Sequence, residues 1–239
     1  MVLDSDPWAV TRWALGAGML GGAALSDLRT RRVPNQYWFP FLAVALLFAA
    51  RDVLVTSDRS ALLMPYGAAA AVALFVYALW WLRLFGGADA KGLMVASLLA
   101  PVALAPPPLD RLPVLPPSLD ALVNGCLLMM AVPFLLLAWN LAKGRALLPA
   151  ALLGTSMPVA RAKAAHVWPM QRIDAEGKLV WCYWQRAGTQ DDAWAALEAA
   201  GVTDVWVTAK VPFMLPLLAG WLLSGLVGNV MLDLVARLV

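Results

Sequence analysis

Two aspartates stand out in this chain because each marks the boundary of an apolar segment. Asp27 ends a glycine-rich apolar run in the stretch SDLRTRRVPN, residues 26–35, and Asp89 lies in the stretch FGGADAKGL, residues 85–93. An ionised aspartate near the middle of a membrane helix costs on the order of 3 kcal/mol, so carboxylates kept in such segments commonly have a function. The two aspartates are therefore the first candidates for chemistry.

Two carboxylates are sufficient to hydrolyse a peptide bond. One of them, when ionised, is the base that activates a water molecule, and the other, when protonated, polarises the scissile carbonyl. At a separation of about 4 Å and an effective dielectric near 20, two carboxylates repel by roughly 4 kcal/mol, so the pair shares one proton. If Asp27 and Asp89 meet, they form such a dyad and need no metal and no cofactor.

The composition indicates which elements must position the aspartates. Hydrophobic residues make up 62% of the 239 residues and charged residues 14%, whereas soluble chains are about 45–50% apolar and about 25% charged. A membrane span needs roughly 20 apolar residues, and six runs qualify once their flanking residues are included. The six candidate spans are Trp13–Asp27, Gln36–Ala50, Ala61–Leu84, Ala88–Leu104, Leu119–Leu141 and Val211–Val235. The sequence thus predicts an α-helical polytopic membrane protein.

Basic residues predict which membrane face holds the aspartates. In a six-span arrangement, three loops on one side carry Arg29, Arg31, Arg32, Arg83, Lys91, Lys143 and Arg145. Because cytoplasmic loops are enriched in lysine and arginine, we expect this side, with both aspartates, to face the cytoplasm. The loops on the other side are balanced or slightly acidic, and residues 105–118 form a proline-rich exterior loop. Their charged residues are Arg51, Asp52, Asp58 and Arg59 in one loop and Asp110, Arg111 and Asp120 in the other. The net charge of +3 reflects this bias, and no basic stripe predicts nucleic-acid binding.

A more polar segment interrupts the apolar pattern before the last span. We therefore predict three parts: residues 1–142 with five membrane helices and both aspartates, residues 143–209 as a small cytoplasmic α+β module, and residues 210–239 with the sixth helix. Within the module, the sequence predicts strands in Ala162–Ile173, Lys178–Trp184 and Val205–Thr208, a hairpin turn at Asp174–Lys178, and a short helix at Asp191–Ala200.

The two aspartate motifs, D-L-R-T-R-R-V-P-N and G-G-A-D-A-K, carry a resemblance to a known family. Together they are similar to the two signatures of the type IV prepilin peptidase family, in particular its archaeal preflagellin and prepilin branch, which belongs to the GxGD membrane aspartyl proteases. The order of the motifs, six spans and a module before the last span also match. One departure is Ala88, which stands where the general GxGD pattern has its second glycine.

This resemblance implies a function. It implies an aspartyl endopeptidase with Asp27 and Asp89 as catalytic residues, which removes the short basic leader from preflagellins or type IV pilin-like precursors at the cytoplasmic face. The partners are then these precursors and the lipid bilayer. Relatives that also N-methylate their products have a four-cysteine zinc loop with C-x-x-C pairs. Since this chain has only Cys126 and Cys182, we expect cleavage without N-methylation.

Four residues around Asp89 are candidates for motif support or substrate binding: Gly86, Gly87, Ala88 and Lys91. The two glycines add no side-chain bulk and tolerate unusual dihedrals, so backbone can lie close to an extended substrate; they also fit a simple turn between spans. Lys91 lies two residues after Asp89 and points elsewhere on a helix, so we interpret it as an interfacial anchor rather than a catalytic group.

Other interpretations of the same residues stay open. Asp27 and Asp89 also fit interfacial acids paired with neighbouring bases such as Arg31, Arg83 or Lys91. A presenilin-like protease would cut within transmembrane helices, and a small transporter would use the aspartates as an ion relay.

Three other features of the sequence have structural interpretations. The pattern Gly16-Ala-Gly18-Met-Leu-Gly21 satisfies G-x-G-x-x-G but lies inside a predicted span, so it favours close helix packing over nucleotide binding. Asp233, in the last span, is expected to snorkel toward the interface or to serve in helix pairing. The single histidine, His166, excludes a histidine-rich metal site.

Overall fold

A computed structural model describes most of the chain. The described residues are 8–102, 116–145, 147–183, 190–210 and 212–238. They divide into two compact units, the first formed by Met1–Met129 with Pro212–Val239 and the second by Met130–Val211. Residues 105–115 of the predicted exterior loop, with Asp110, lie outside the described residues.

The first unit is entirely helical in its described part. Its helices are α1 (Ala9–Thr30), α2 (Trp38–Val55), α3 (Ser60–Trp81), α4 (Gly87–Leu99), the first part of α5 (Pro117–Ala142), α9 (Met214–Leu226) and α10 (Val230–Leu238), with a 3-10 turn at Asn35–Tyr37 before α2. Helix α1 packs against α9 and α4, and α4 packs against α2 and α3. The core between them includes Met19, Leu20, Leu93, Met214 and Trp221, all fully buried.

The six predicted spans are confirmed only in part. Three described helices are long and apolar enough to cross a membrane, Asn35–Val55, Ser60–Trp81 and Pro117–Ala142, and a bent pair, Met214–Leu226 with Val230–Leu238, can form a fourth span. Helix α4 has 13 residues, which corresponds to about 20 Å against a hydrocarbon layer of about 30 Å. Helix α1 has 22 residues but carries charged side chains at both of its ends.

The last predicted span is broken rather than continuous. Helices α9 and α10 meet at an angle of 54°, at Gly228, whose φ is 84°. The break frees backbone groups, and a buried amide of α5 satisfies them: Asn124 donates to the Gly228 carbonyl at 2.9 Å and accepts from the Val230 N–H at 3.0 Å. Membrane helices tolerate such breaks where neighbouring side chains pair with the freed groups.

Asp120 supports the same break, and its predicted place in an exterior loop is wrong. It lies in the first turn of α5 with 4% of its surface exposed. Its carboxylate accepts a hydrogen bond of 2.8 Å from the Asn229 amide. The Asn229 oxygen in turn accepts from the Leu232 N–H at 3.0 Å and so caps the start of α10.

A buried ion pair joins α1, α2 and α3 at the end of α1 opposite Asp27. Arg12 donates to both carboxylate oxygens of Asp52 at 2.7 Å, the Tyr66 hydroxyl donates to the same carboxylate at 2.7 Å, and the Arg12 guanidinium lies over the Phe48 ring. Asp52 was predicted to lie in a loop. It lies within α2 and is 2% exposed, because pairing with Arg12 offsets the cost of burying its charge.

Two tryptophans form a reciprocal contact between α1 and α9. The Trp13 indole donates to the Trp221 carbonyl at 3.1 Å, and the Trp221 indole donates to the Trp13 carbonyl at 3.0 Å. Glycines make room for both rings, since a Cβ on Gly16 would overlap Trp221 and a Cβ on Gly225 would overlap Trp13. The packing role predicted for the G-x-G-x-x-G pattern is thus confirmed for Gly16.

The rest of that pattern does not take part in this packing. A Cβ on Gly18 or Gly21 would meet nothing within 4 Å. The glycine after the pattern, Gly22, is the one that permits a second close contact, with Tyr37.

The second unit contains the predicted α+β module. Its elements are α6 (Ala150–Leu153), β1 (Thr155–Pro158), α7 (Val159–Ala164), β2 (Val167–Pro169), β3 (Gln171–Ile173), β4 (Leu179–Trp181), α8 (Gln190–Ala199) and β5 (Asp204–Ala209). Strand β5 pairs antiparallel with β1 on one side and with β2 on the other, and β3 pairs with β4 as a hairpin. The module's core is formed by Val159, Ala162, Trp194, Leu197, Val205 and Val207.

The local structure of the module largely follows the sequence signals. The predicted turn after Asp174 is confirmed, because the Asp174 carboxylate accepts from the Glu176 and Lys178 N–H groups at 3.1 and 2.7 Å and Gly177 has a φ of 77°. The predicted helix near Asp191–Ala200 is α8. One prediction is wrong in part, since Ala162 lies in helix α7 rather than in a strand.

A buried amide ties α5 to the module within the second unit. Asn140, in the last turn of α5, is fully buried and donates to the carbonyls of Ala151 at 2.9 Å and Gly154 at 2.7 Å. Its oxygen accepts from the Thr155 hydroxyl at 3.0 Å. The start of strand β1 is therefore fixed directly to the end of a membrane helix.

Candidate active site

Asp27 lies in the last turn of α1, at the point where the chain reverses toward α2. The helix ends because Arg31 adopts a left-handed conformation, with φ 57°, and its N–H donates to the Asp27 carbonyl at 2.9 Å. Left-handed backbone is unfavourable for a residue with a Cβ, so surrounding contacts must hold it. The Arg31 side chain also acts electrostatically on the half-buried Asp27 carboxylate.

Two hydroxyls of the same motif hold this turn. Ser26 donates to the Arg32 carbonyl at 2.8 Å, and Thr30 donates to the carbonyls of Ser26 at 2.9 Å and Arg32 at 3.0 Å. Both hydroxyls thus bind the backbone of the chain that leaves the helix, as serine and threonine often do at helix ends. The result is that Asp27 sits on a closed, hydrogen-bonded turn.

A third contact ties the turn back to the middle of α1. The Tyr37 hydroxyl donates to the Met19 carbonyl at 2.6 Å, and it reaches the helix because Gly22 has no side chain: a Cβ there would overlap the hydroxyl. Tyr37 also packs edge-on against Trp38, with ring centroids 5.1 Å apart. The segment after Asp27 is therefore anchored to the helix that carries the aspartate.

Asp89 lies in the first turn of α4, three residues after the N-cap residue Gly86. Its carboxylate folds back over this glycine, and a Cβ on Gly86 would therefore overlap the Asp89 Oδ2 atom. Gly86 has φ −68° and ψ 142°, a conformation open to any residue. The unusual dihedrals expected of this glycine are not observed; the position requires space for the Asp89 carboxylate.

The neighbours of Asp89 position the start of α4. Ala88 packs against the main core, and a Cβ on Gly87 would meet the Trp80 indole at 3.4 Å, an ordinary contact. Phe85, just before the helix, contacts Phe213 edge-on with ring centroids 5.5 Å apart. These apolar contacts hold the first turn of α4 between α3 and the beginning of α9.

The two aspartates lie on different helices but at the same end of the first unit. Asp27 is near the C-terminus of α1 and Asp89 near the N-terminus of α4, two helices that pack together. The Asp27 carboxylate is close enough to act electrostatically on Asp89. Both side chains are half-buried. This end of the unit therefore combines two interacting carboxylates with access for water.

Lys91 joins the two motifs. Its ammonium donates to the Asn35 side-chain oxygen at 2.7 Å, and Asn35 is the last residue of the stretch that begins with Ser26. Sequence reasoning expected an interfacial anchor or a motif-support residue at Lys91 and gave no role to Asn35. The bond gives Asn35 a positioning role, because it connects the segment after Asp27 to the helix that carries Asp89.

The sequence of the chain matches a known protein family. The sequence profile of the type IV leader peptidase family matches residues 14–138, more than half of the chain and both aspartates. The chain belongs to this family. The resemblance expected from the two motifs is confirmed at this level, and with it a membrane peptidase of the leader-processing type. No curated protein matches this sequence.

Sequence reasoning missed several residues that shape this candidate site. Asn35 is the last residue of the first motif and Tyr37 lies two residues after it, and no individual role was predicted for either. Gly22 directly follows the G-x-G-x-x-G pattern and was not distinguished from it. Each acts through a contact distant in sequence, with Lys91, Met19 and Tyr37 respectively, which local pattern cannot reveal.

Proposed function

We propose that this protein is an aspartyl endopeptidase in which Asp27 and Asp89 together hydrolyse a peptide bond of a leader-bearing precursor. The observation that carries the proposal is the position of the two carboxylates, which lie on separate helices at one end of the unit and within electrostatic range of each other. Membership of the type IV leader peptidase family supports the same chemistry.

The reaction divides between the two carboxyl groups. The ionised carboxylate takes a proton from a water molecule as the water oxygen bonds to the scissile carbonyl carbon, while the protonated carboxyl donates its proton to the carbonyl oxygen. The carbon–nitrogen bond then breaks as the leaving amine takes the proton that the first carboxyl received from water, and one hydroxyl of the tetrahedral intermediate returns its proton to the second carboxylate. One peptide bond and one water become a carboxylic acid and an amine, and the pair returns to its singly protonated state.

The precursor that this site fits has a basic leader followed by an apolar segment. We propose archaeal-type preflagellins or type IV pilin-like precursors, cut at the cytoplasmic face just before the apolar segment. The distribution of lysine and arginine supports the cytoplasmic position. We also propose that the product is not N-methylated, because the sequence has no C-x-x-C pair.

Substitution of the aspartates tests this function directly. In cells that co-express a precursor with a basic leader, Asp27→Asn or Asp89→Asn is expected to slow processing by at least about 10³-fold, since each removes one half of the acid–base pair. The measurement is the shift in precursor size, with the cleavage position mapped by mass spectrometry.

Asp233→Asn is the matched control. Asp233 is also a carboxylate on a membrane-associated helix, but it pairs with Arg237 four residues later on α10, at 3.0 Å. Normal processing by Asp27→Asn or Asp89→Asn would refute the dyad. Cleavage inside the apolar segment, rather than before it, would indicate a presenilin-like activity instead.

A further inference from the structure

Aromatic side chains of the module gather on one face of its three-stranded sheet. On β5, Trp206 alternates with Val205 and Val207, which are buried in the core formed with α7 and α8. Because successive side chains of a strand point to opposite faces, Trp206 lies on the face away from these helices. The Trp181 ring contacts Trp206 with centroids 6.2 Å apart, and the Tyr183 ring stacks on Trp181 at 5.6 Å.

Trp168 extends this cluster on the neighbouring strand. It pairs with Thr208 of β5, two residues after Trp206, and therefore lies on the same side of the sheet. Both Trp168 and Trp206 are partly exposed, while Trp181 and Tyr183 are 37% and 48% exposed. These four residues are called the aromatic face below.

The aromatic face lies next to the end of a membrane helix. Strand β1 begins at Thr155, whose hydroxyl donates to the Asn140 oxygen in the last turn of α5 at 3.0 Å, and Thr155 pairs with Val207, the residue after Trp206. Helix α5 is one of the described helices that are long and apolar enough to cross a membrane. The aromatic face is therefore held at the level where α5 leaves the bilayer.

Two lysines stand over tryptophan rings in the same region. The Lys143 ammonium, just after α5, lies 4.2 Å from the centre of the Trp139 ring, and the Lys210 ammonium, just after β5, lies 5.2 Å from the centre of the Trp168 ring. Tryptophan and tyrosine are enriched at the headgroup level of membranes, and basic residues there attract anionic lipids. The acid of β5, Asp204, lies at the opposite end of that strand.

Exposed leucines connect the helix surface with the module. Phe134 and Leu135 on α5 are more than half exposed, as expected of side chains that face lipid, and so are Leu147 and Leu148 between α5 and β1. The apolar surface thus continues past the end of the helix toward the strand that carries Thr155. Lipid is the occupant that suits both parts of this surface.

We propose that the aromatic face docks on the anionic headgroup layer of the bilayer beside α5. The amphipathic rings of Trp168, Trp181 and Tyr183 fit the boundary between hydrocarbon and water, and the lysines bind lipid phosphates. Helices α7 and α8 then face water. This inference goes beyond the proposed cleavage reaction and does not depend on it, because the contact involves neither aspartate.

Photo-crosslinking of the full chain tests the occupant of the aromatic face. A photoreactive phenylalanine analogue replaces Tyr183, and the protein is reconstituted in vesicles of phosphatidylcholine and phosphatidylglycerol in equal amounts, with a leader-bearing precursor present. We expect adducts with phospholipid, identified by mass spectrometry. The control position is Ala195, an exposed residue of α8, which should give no lipid adduct. Adducts with the precursor or a second copy instead of lipid, or equal lipid adducts from both positions, would overturn the proposal.

Vesicle composition and charge give an independent test. Pure phosphatidylcholine vesicles, or Lys143→Gln in the mixed vesicles, should lower the lipid adduct yield at position 183 about fivefold, the factor that one basic residue contributes at an anionic surface. Lys163→Gln is the matched control, because Lys163 lies on α7 and pairs with Glu198 at 2.9 Å; it should leave the yield unchanged. A yield that responds neither to the lipid nor to Lys143→Gln would overturn the headgroup contact.

Discussion

Because Gly86 has no side chain, the Asp89 carboxylate can lie against its backbone. The carboxylate folds back across this position, and a methyl group there would overlap its Oδ2 atom. Because the atom in the way is the end of a flexible side chain, relief requires only that the carboxylate turn aside. Under the proposed function, space at Gly86 is therefore needed for the chemistry rather than for the fold.

Gly86→Ala is expected to lower the rate of precursor cleavage by about 10²-fold, since a displacement near 1 Å of a catalytic group has effects of that size. The purified variant should keep its melting temperature. Initial rates of processing, measured at saturating precursor, provide the check.

Gly87→Ala makes the comparison specific. A Cβ at Gly87 meets the Trp80 indole at 3.4 Å, and alanine is well accepted within a helix, so this variant should retain near-normal activity. Equal loss of activity in the two variants would show that the Asp89 overlap is not the cause.

At the same scale, the sequence predicted residue types better than residue contacts. The two aspartates stand out because carboxylates are rare next to apolar runs. Asn35 does not stand out, since an asparagine after a proline is ordinary in a turn. Its bond to Lys91 depends on how α2 and α4 pack, which no local pattern encodes.

Among the elements, the contact between α1 and α9 is the one most sensitive to a single methyl group. Gly16 faces the fully buried Trp221 ring, whose indole is already fixed by its bond to the Trp13 carbonyl. Gly16→Ala should therefore destabilise the protein by about 1–3 kcal/mol, the usual cost of overpacking a core. Thermal unfolding in detergent, followed by tryptophan fluorescence, measures the effect.

Gly18→Ala provides a control in the same helix. Gly18 is exposed and a Cβ there meets nothing within 4 Å, so this change should leave the melting temperature unchanged or raise it slightly through helix propensity. Similar destabilisation by both substitutions would show that the Trp221 contact is not the cause.

Helix lengths and breaks were only partly predictable. The length of the apolar runs located α2, α3 and α5, because each is a long run bounded by polar residues. It overestimated α4, which has 13 residues, and it missed the break at Gly228, where Asn124 of α5 replaces the lost helix bonds. Such a break is stable only because a partner from another helix is present, so the sequence of the span alone does not predict the break.

For the molecule as a whole, Asn140 connects the end of α5 with the module inside the second unit. It is fully buried at the end of α5 and bonds to Ala151, Gly154 and Thr155. Asn140→Ala leaves two buried carbonyls without this donor, at a cost of about 1–3 kcal/mol for each unsatisfied group. Hydrogen exchange of amides 150–157 should accelerate at least roughly tenfold.

Leu141→Ala is the matched control for this prediction. Leu141 is the next residue of α5 and is 54% exposed, so its truncation should leave exchange in residues 150–157 unchanged. If Asn140→Ala also leaves these rates unchanged, the module is held by contacts other than this amide.

The buried Arg12–Asp52 pair has a consequence for how α1 can move. Together with the reciprocal tryptophan contact at Trp13, it fixes the first turns of α1, and Asp27 lies about 22 Å further along the helix. A tilt of α1 by about 10° around this fixed end would displace Asp27 by roughly 4 Å. The separation of the two acids is therefore sensitive to the tilt of α1, and the bond between Lys91 and Asn35 at the near end opposes such a tilt.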